Sequence, residues 1–274
     1  MKVVKTLQQR YRYSLIVLRE LVKTDFKLRY QGSLLGMMWS VLRPLLLFVV
    51  MYVVFVRFLR FGAGIPHFAV SLLFATTLWS FFGEATSVGM RSIVDQGGLL
   101  RKINIPRYIF VVSATVNSLI NLVISMAVLL VFAVINQVEF RWYVVLVPLV
   151  ILQLYLLALG VAFLSSSLYV KFRDIAPIWD VILQAGFYAT PIIYPISMIA
   201  NTSGLAAKLM MIVNPVAQII QDARHLLIYE GTETVWTFSN HWYYGLIPVT
   251  VSLVIFVIGA LVFRKQSRSF TEEV

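Results

Sequence analysis

Several stretches of about 20 consecutive residues carry almost no charge, and they restrict the possible folds more than any other feature of this sequence. A helix of about that length crosses the roughly 30 Å hydrocarbon layer of a bilayer. Charged residues make up only 13% of the chain, whereas soluble domains contain about 25%. A β-barrel would show short alternating segments instead of long apolar runs. The sequence therefore predicts an all-α polytopic membrane protein.

The apolar stretches predict six transmembrane helices. These cover residues 34–56, 68–90, 108–135, 142–170, 175–194 and 243–263. The predicted organisation is a cytoplasmic amphipathic interface helix at 1–32, a six-helix transmembrane domain at 33–265 and a cytoplasmic tail at 266–274. The transmembrane domain includes two distinctive connections, at 91–107 and 195–242.

Lysines and arginines are distributed unevenly around these predicted spans. Seventeen lie in the N-terminal segment, the 91–107 and 171–180 loops and the C-terminal tail, whereas five lie in the opposite loops. Because cytoplasmic loops are enriched in basic residues, both termini are predicted to be cytoplasmic. This asymmetry accounts for the net charge of +11 without a nucleic-acid partner.

Two connections have features beyond those of simple loops. In the 91–107 loop, Gly97-Gly98 interrupts a helical pattern and Pro106 marks the next helix start. This loop is either a short helix that contacts a soluble partner or an ordinary basic loop. In the 195–242 segment, Asn214-Pro215 predicts a capped helix start. The helix would place Arg224 off its apolar face and would pair with 197–213 as two short helices dipping into the outer leaflet.

The chemistry-bearing residues are sparse. No phosphate-binding G-x-x-x-x-G-K-[ST] motif occurs, there is no cysteine, and the three histidines lack metal-ligand spacing. Asp180 belongs to the 171–180 loop where the fifth span starts, and Glu84 is the one acidic residue predicted deep within a span. Glu84 either pairs with Arg43 or Arg91 or takes part in transport. Arg43 faces either a hydrated cavity, where it would attract a phosphate-bearing substrate, or the headgroups as an anchor.

Aromatic side chains are placed both at the predicted interfaces and within the spans. Trp39 belongs to the predicted interfacial belt. The deeper aromatic residues Trp79, Phe82, Phe187 and Tyr188 suit either contact with sugar rings or ordinary packing, and the sequence leaves both interpretations open.

Five motifs resemble one known family when they are taken in chain order. They are LRYQGSLLG at 28–36 with Trp39-Ser40 and Pro44-Leu45, LRKINIPR at 100–107, FRDI at 172–175, TPIIYP at 190–195, and Asn214-Pro215 with Arg224. Over nearly the whole chain, this order resembles that of the ABC-2 type polysaccharide and polyol-phosphate export permeases.

This resemblance implies a homodimer in the bacterial cytoplasmic membrane, bound to two copies of a separate ATP-binding cassette ATPase. ATP and Mg²⁺ would bind to that partner, and this chain would hold no cofactor or metal. The cargo would be a polymer on an undecaprenyl-diphosphate lipid, moved from the inner to the outer leaflet of the surrounding membrane lipid.

The resemblance, together with the charged and aromatic residues discussed above, predicts roles for particular residues. Residues that would couple to the ATPase are Asp95, Leu99, Arg101, Lys102, Asn104, Arg107, Arg173 and Asp174. Residues that would line the substrate path are Trp39, Arg43, Trp79, Phe82, Glu84, Phe187, Tyr188 and Tyr194. Asn214, Pro215 and Arg224 would shape the outer re-entrant region.

The arginines on and above the first span favour an anionic polymer, and wall teichoic acid is therefore the predicted cargo. They are Arg43, Arg57 and Arg60. The alternatives are O-antigen or capsular polysaccharide, a drug exporter of the same family, or a secondary transporter. A secondary transporter would require internal repeats, and none is visible in this sequence.

Overall fold

A computed structural model of the chain describes residues 2–30, 38–102, 105–238, 241–267 and 270. Within these ranges every regular element is a helix, which confirms the all-α fold class. The helices are α1 (Lys2–Tyr30), α2 (Met38–Met51, continued by a π-helix at Tyr52–Phe58), α3 (Phe68–Asp95), α4 (Gly97–Lys102), α5 (Tyr108–Ile135), α6 (Val147–Lys171), α7 (Ile175–Ala189), α8 (Ile196–Thr202), α9 (Gly204–Val213), α10 (Pro215–Leu227), α11 (Val235–Phe238) and α12 (Leu246–Gln266). Short 3-10 turns, Trp142–Leu146 and Trp242–Gly245, precede α6 and α12.

Four helical segments of the described chain are long and apolar enough to cross a membrane. They are α3, α5, Trp142–Lys171 and Trp242–Gln266. Helices α9 and α10 reach that length together but are bent by 101° at their junction. Leu45–Phe58 and α7 are shorter apolar helices. The total of six spans stays a prediction, because α7 has only 15 residues, which is about 22 Å of helix.

Two helix ends differ from the sequence-based prediction. Helix α7 ends at Ala189 rather than at 194, because Thr190 precedes Pro191 and adopts an extended backbone. Helix α3 continues beyond residue 90 to Asp95, since no glycine or proline intervenes before Gly97. The predicted coupling loop therefore begins inside α3.

Helix α3 is the centre of the bundle and packs against α5, α6, α7 and α10. Its side chains Leu72, Phe74 and Leu78 are completely buried. Small residues allow close approach to α6, because a Cβ placed on Gly89 would lie 2.7 Å from the Ala162 Cβ. Lipid chains are as apolar as these side chains, so close packing rather than the hydrophobic effect holds such helices together.

Helices α6 and α12 approach each other still more closely at a pair of glycines. A Cβ placed on Gly259 would lie 2.2 Å from the Gly160 carbonyl oxygen, and one placed on Gly160 would lie 2.5 Å from the Phe256 Cα. The backbones themselves are therefore in contact, which is the arrangement that small residues permit in membrane helices.

The bundle has two distinct ends. One end carries α1, α4 and the last turns of α6 and α12, and we call it the basic end. The other carries the 136–146 connection, residues 228–238 and the turn at Trp242–Gly245, and we call it the loop end. Positive charge at α1 and α4 predicts that the basic end is cytoplasmic.

Candidate functional site

The structure brings together five of the eight residues predicted for the substrate path, where α3 faces α7. The Trp79 ring lies 5.8 Å from Phe82 and 6.2 Å from Phe187 between centroids. Phe187 in turn contacts Tyr188 edge to face at 5.4 Å. The Tyr194 hydroxyl donates a hydrogen bond of 2.9 Å to the Tyr188 carbonyl. Tyr188 remains exposed, so this aromatic row reaches the surface of the chain.

Trp179, which was not among the predicted path residues, extends the same aromatic row. Its ring centroid lies 6.4 Å from that of Phe82, and its indole N–H donates to the Thr86 hydroxyl at 3.0 Å. The sequence feature that could have identified Trp179 is its position about two helical turns before Phe187 on α7. Gly186 allows Trp79 to pack closely against α7, because a Cβ at this position would lie 2.8 Å from the Trp79 ring.

The other three predicted path residues are Trp39, Arg43 and Glu84. Trp39 is about half exposed on α2, and Arg43 lies on the same helix, but the Arg43 side chain is outside the described part of the structure. The Glu84 carboxylate accepts hydrogen bonds from Asn121 (2.9 Å) and Ser118 (3.4 Å) of α5. Arg91, one partner proposed for Glu84 from sequence, has its guanidinium 3.7 Å from Asp180 of α7 instead.

We expect Glu84→Leu to lower the stability of the α3–α5 contact by about 1–3 kcal/mol, because it leaves the buried Asn121 amide without this acceptor. Glu84→Gln keeps an acceptor oxygen and should preserve both the thermal midpoint of the detergent-solubilised protein and its transport. A Gln variant that folds normally but no longer transports would instead assign the negative charge to transport.

At the basic end, α1 and α4 share one apolar cluster with three membrane helices. Its buried members include Ile109, Phe163 and Phe263, from α5, α6 and α12. Leu18 of α1 and the predicted coupling residue Leu99 of α4 pack against them. A displacement of α1 or α4 would therefore act directly on the ends of these helices.

A polar contact also fixes α1. The Asp25 carboxylate accepts hydrogen bonds from Ser113 (3.3 Å) and Gln96 (3.5 Å). Burial raises the pKa of the Asp25 carboxyl above its ordinary value, and the Ser113 hydrogen bond opposes this effect. Asp25 was not among the predicted coupling residues, although it begins the stretch that precedes the first span.

The remaining predicted coupling residues lie around the same end, in several elements. Asp95 is the last residue of α3, Arg107 precedes α5 and contacts the Ser267 carbonyl, and Arg173 lies 5.1 Å from the Tyr169 ring centroid. Asp174 immediately precedes α7. Arg101 and Lys102 belong to α4 with side chains that are not described, and Asn104 lies outside the described residues.

The helix start predicted at Asn214-Pro215 is confirmed. The Asn214 side-chain oxygen accepts from the backbone N–H groups of Val216 (3.0 Å) and Ala217 (3.2 Å). Its amide nitrogen donates to the Thr190 hydroxyl at 2.9 Å. Pro215 occupies the first helical position, where its missing N–H costs nothing.

Arg224 was expected off the apolar face of α10, yet the structure buries it to 2% exposure. Its guanidinium donates to three backbone carbonyls, those of Ser71 (3.2 Å), Pro191 (2.7 Å) and Ile192 (2.6 Å). These bonds compensate for the loss of solvent. They join α10 to the start of α3 and to the turn after α7.

The comparison with known families agrees with this arrangement. A family model described as ABC-2 type transporter matches residues 17–228. The chain belongs to this family. The match runs from α1 to α10, and it therefore includes the coupling, aromatic and re-entrant residues described above. This ABC-2 permease is a multi-pass membrane protein and the membrane subunit of a transporter.

Relatives of the permease are similar over their whole lengths. It is 27% identical to the O-antigen export system permease protein RfbA of Myxococcus xanthus over 275 residues, which cover 99% of this chain and 100% of the relative. It is 27% identical to a protein of the same name from Klebsiella pneumoniae, over 96% of this chain and 95% of the relative. A second RfbA of Klebsiella pneumoniae is 24% identical over 96% of this chain and 95% of that relative.

Proposed function

We propose that this ABC-2 permease exports a lipid-linked cell-surface polysaccharide of the O-antigen type across the bacterial cytoplasmic membrane. The observation that carries the proposal is end-to-end similarity to three permeases named for O-antigen export. The carrier would be an undecaprenyl-diphosphate lipid. The chain lacks a Walker motif, and the family implies an ABC ATPase partner to supply the energy.

Teichoic acid, which the arginines near the first span favour, has less support as the cargo. Arg57 lies 5.7 Å from the Tyr52 ring centroid, so the aromatic face already accounts for the position of its charge. The names of the relatives support the alternative, a polysaccharide of the O-antigen type. The aromatic row of α3 and α7 suits that cargo, because the apolar faces of sugar rings stack on aromatic side chains.

We place a second copy of this chain and two ATPase subunits in the working complex. Helix α7 exposes the apolar side chains Ile178, Val181 and Ile182, and lipid or the second copy would cover them. ATP-driven closure of the partner would push on α1 and α4. The shared apolar cluster at the basic end would pass this displacement to α5, α6 and α12, and the two copies would separate along the aromatic row.

The experiment that tests this function combines purification with genetics. The tagged permease is isolated from its native membranes in mild detergent, and the co-purifying proteins and lipids are identified by mass spectrometry. Deletion of the gene should also remove the surface polysaccharide and leave lipid-linked glycan inside the cell. An ABC ATPase together with a polyprenyl-diphosphate glycan is the expected result. A permease that repeatedly lacks an ATPase would favour the secondary-transporter alternative.

Reversal of charge on α4 should uncouple ATP hydrolysis from export. We expect Arg101→Glu with Lys102→Glu to lower surface polysaccharide at least about tenfold, because like charges at a contact disfavour docking by 1.4 kcal/mol or more. ATPase activity should persist. The matched control is Arg264→Glu with Lys265→Glu, which makes the same charge change at the same end of the bundle. Unchanged coupling and complex formation in the α4 variant would remove this loop from the mechanism.

A further inference from the structure

A cavity of about 450 Å³ opens at the loop end, away from the aromatic row and from the coupling elements. We call it the loop-end pocket. Three separate segments form its walls: the turn before α3, the α5–α6 connection, and the end of α10 with the turn that follows. Its volume lies within the range of about 300–1,000 Å³ typical of sites for small organic ligands.

The walls of the loop-end pocket are joined to one another. Arg141 of the α5–α6 connection forms an ion pair with Glu230 of the turn after α10. The Tyr143 ring stacks on the His225 ring with centroids 6.3 Å apart and planes 20° apart. His225 also places Nδ1 3.3 Å from the Thr232 carbonyl. These contacts link the α5–α6 connection to the end of α10, and ordering of the walls before binding lowers its entropic cost.

Two of the three non-glycine residues with a left-handed backbone in the described chain lie in this pocket. His67 and Gln137 both line the pocket, and both have left-handed backbone conformations, with φ values of 54° and 56°. Non-glycine residues adopt this conformation at an energetic cost, and such residues cluster at ligand sites. At Gln137 this conformation closes α5, where the Val138 N–H donates to the Ala133 carbonyl at 3.0 Å. His67 adopts it immediately before α3.

The lining is polar and disfavours an anionic ligand. Glu139 and Glu230 outnumber Arg141, so the pocket has no positive excess for a polyanion. Among the described residues, no three His, Asp or Glu side chains are grouped to hold a metal ion. Carboxylates and a guanidinium match the paired hydroxyls of sugars. Tyr143 and His225 add two aromatic rings to the pocket wall, and such rings suit contact with a pyranose.

We propose that the loop-end pocket binds a short neutral segment of the exported glycan, about one or two pyranose rings, as the polymer leaves the bundle. This inference rests on the function proposed above. It assigns a second carbohydrate contact to the permease, separate from the aromatic row of α3 and α7. Such a contact would favour forward movement by holding the emerged polymer.

The chain offers a matched control for this site. Tyr243 stacks on His241 with centroids 5.1 Å apart and planes 11° apart. This second tyrosine–histidine pair lies at the same end of the bundle, and neither residue lines the pocket. Variants Tyr143→Ala and His225→Ala remove the pocket stack, whereas Tyr243→Ala and His241→Ala remove the control stack.

The experiment measures glycan binding to the permease–ATPase complex in nanodiscs. The probe is a fluorescent oligosaccharide, released by mild acid from the surface polysaccharide of the cells that make this protein, and binding is read by anisotropy. We expect Tyr143→Ala and His225→Ala to weaken binding about tenfold, whereas the control variants stay near the wild type. Gel-filtration profiles and basal ATPase rates verify that each variant is folded.

Two results would overturn the inference: a wild-type complex that does not bind the probe, or pocket variants that bind it as the wild type does. Either failure is distinguishable from failure of the proposed function. The proposed function is tested separately by complementation of a gene deletion. It fails if the wild-type chain does not restore surface polysaccharide. If the wild-type chain restores surface polysaccharide, but the pocket variants bind the probe as well as the control variants do, the role of the pocket is rejected and the proposed function stands.

Discussion

Replacement of Arg224 by leucine should abolish export and leave little folded permease in the membrane. The guanidinium satisfies three carbonyls, and leucine cannot donate to any of them. A buried polar group that loses its partner costs about 1–3 kcal/mol, so the combined loss is comparable to a large part of the stability of a typical domain. We expect a fall of at least about 3 kcal/mol.

The Arg224 prediction is tested by thermal unfolding of the detergent-solubilised protein and by its abundance in membranes. Arg224→Lys should fall between the wild type and the leucine variant, because an ammonium group lacks the planar fork that reaches separate carbonyls. Arg264→Leu is the control, since Arg264 is exposed at the end of α12. A leucine variant at 224 with wild-type stability would contradict the interpretation of Arg224 as the link between α10, α3 and the turn after α7.

Local sequence chemistry predicted those elements that depend on nearby residues. Tyr108–Ile135 has the predicted boundaries, because Pro106 sets its start and an apolar run sets its length. Asn214 caps α10 as expected, because a capping side chain needs only backbone groups two and three residues away. These features require no knowledge of the three-dimensional fold.

Features that depend on distant partners were not predictable in this way. Arg224 obtains one of its carbonyls from Ser71, which lies 153 residues away in sequence. The loop-end pocket combines three segments that only the fold brings together, and the contact of Trp179 with Phe82 needs α7 packed on α3. A single sequence identifies such residues as candidates but does not show which of them contact one another in the fold.

Substitution of Gly259 by valine should separate α12 from α6 and inactivate the permease. Even the Cβ of an alanine would lie 2.2 Å from the Gly160 carbonyl oxygen, and the clashing atom belongs to the backbone of a packed helix. Because a backbone carbonyl cannot rotate away as a side chain can, the helices must move apart. Overpacking of this kind typically costs about 1–3 kcal/mol, and loss of the whole crossing would exceed that range.

The expected order of stability is wild type, then Gly259→Ala, then Gly259→Val, measured as thermal midpoints in one detergent. Gly204→Ala is the matched control, because a Cβ there meets no atom within 4 Å. A specific effect on α12 should also appear as faster proteolysis of the 241–267 segment in the Gly259 variants. If Gly259→Val and Gly204→Ala unfold at the same temperature, the backbone contact between α6 and α12 contributes little to stability. In that case contacts other than this crossing would hold α12 in place.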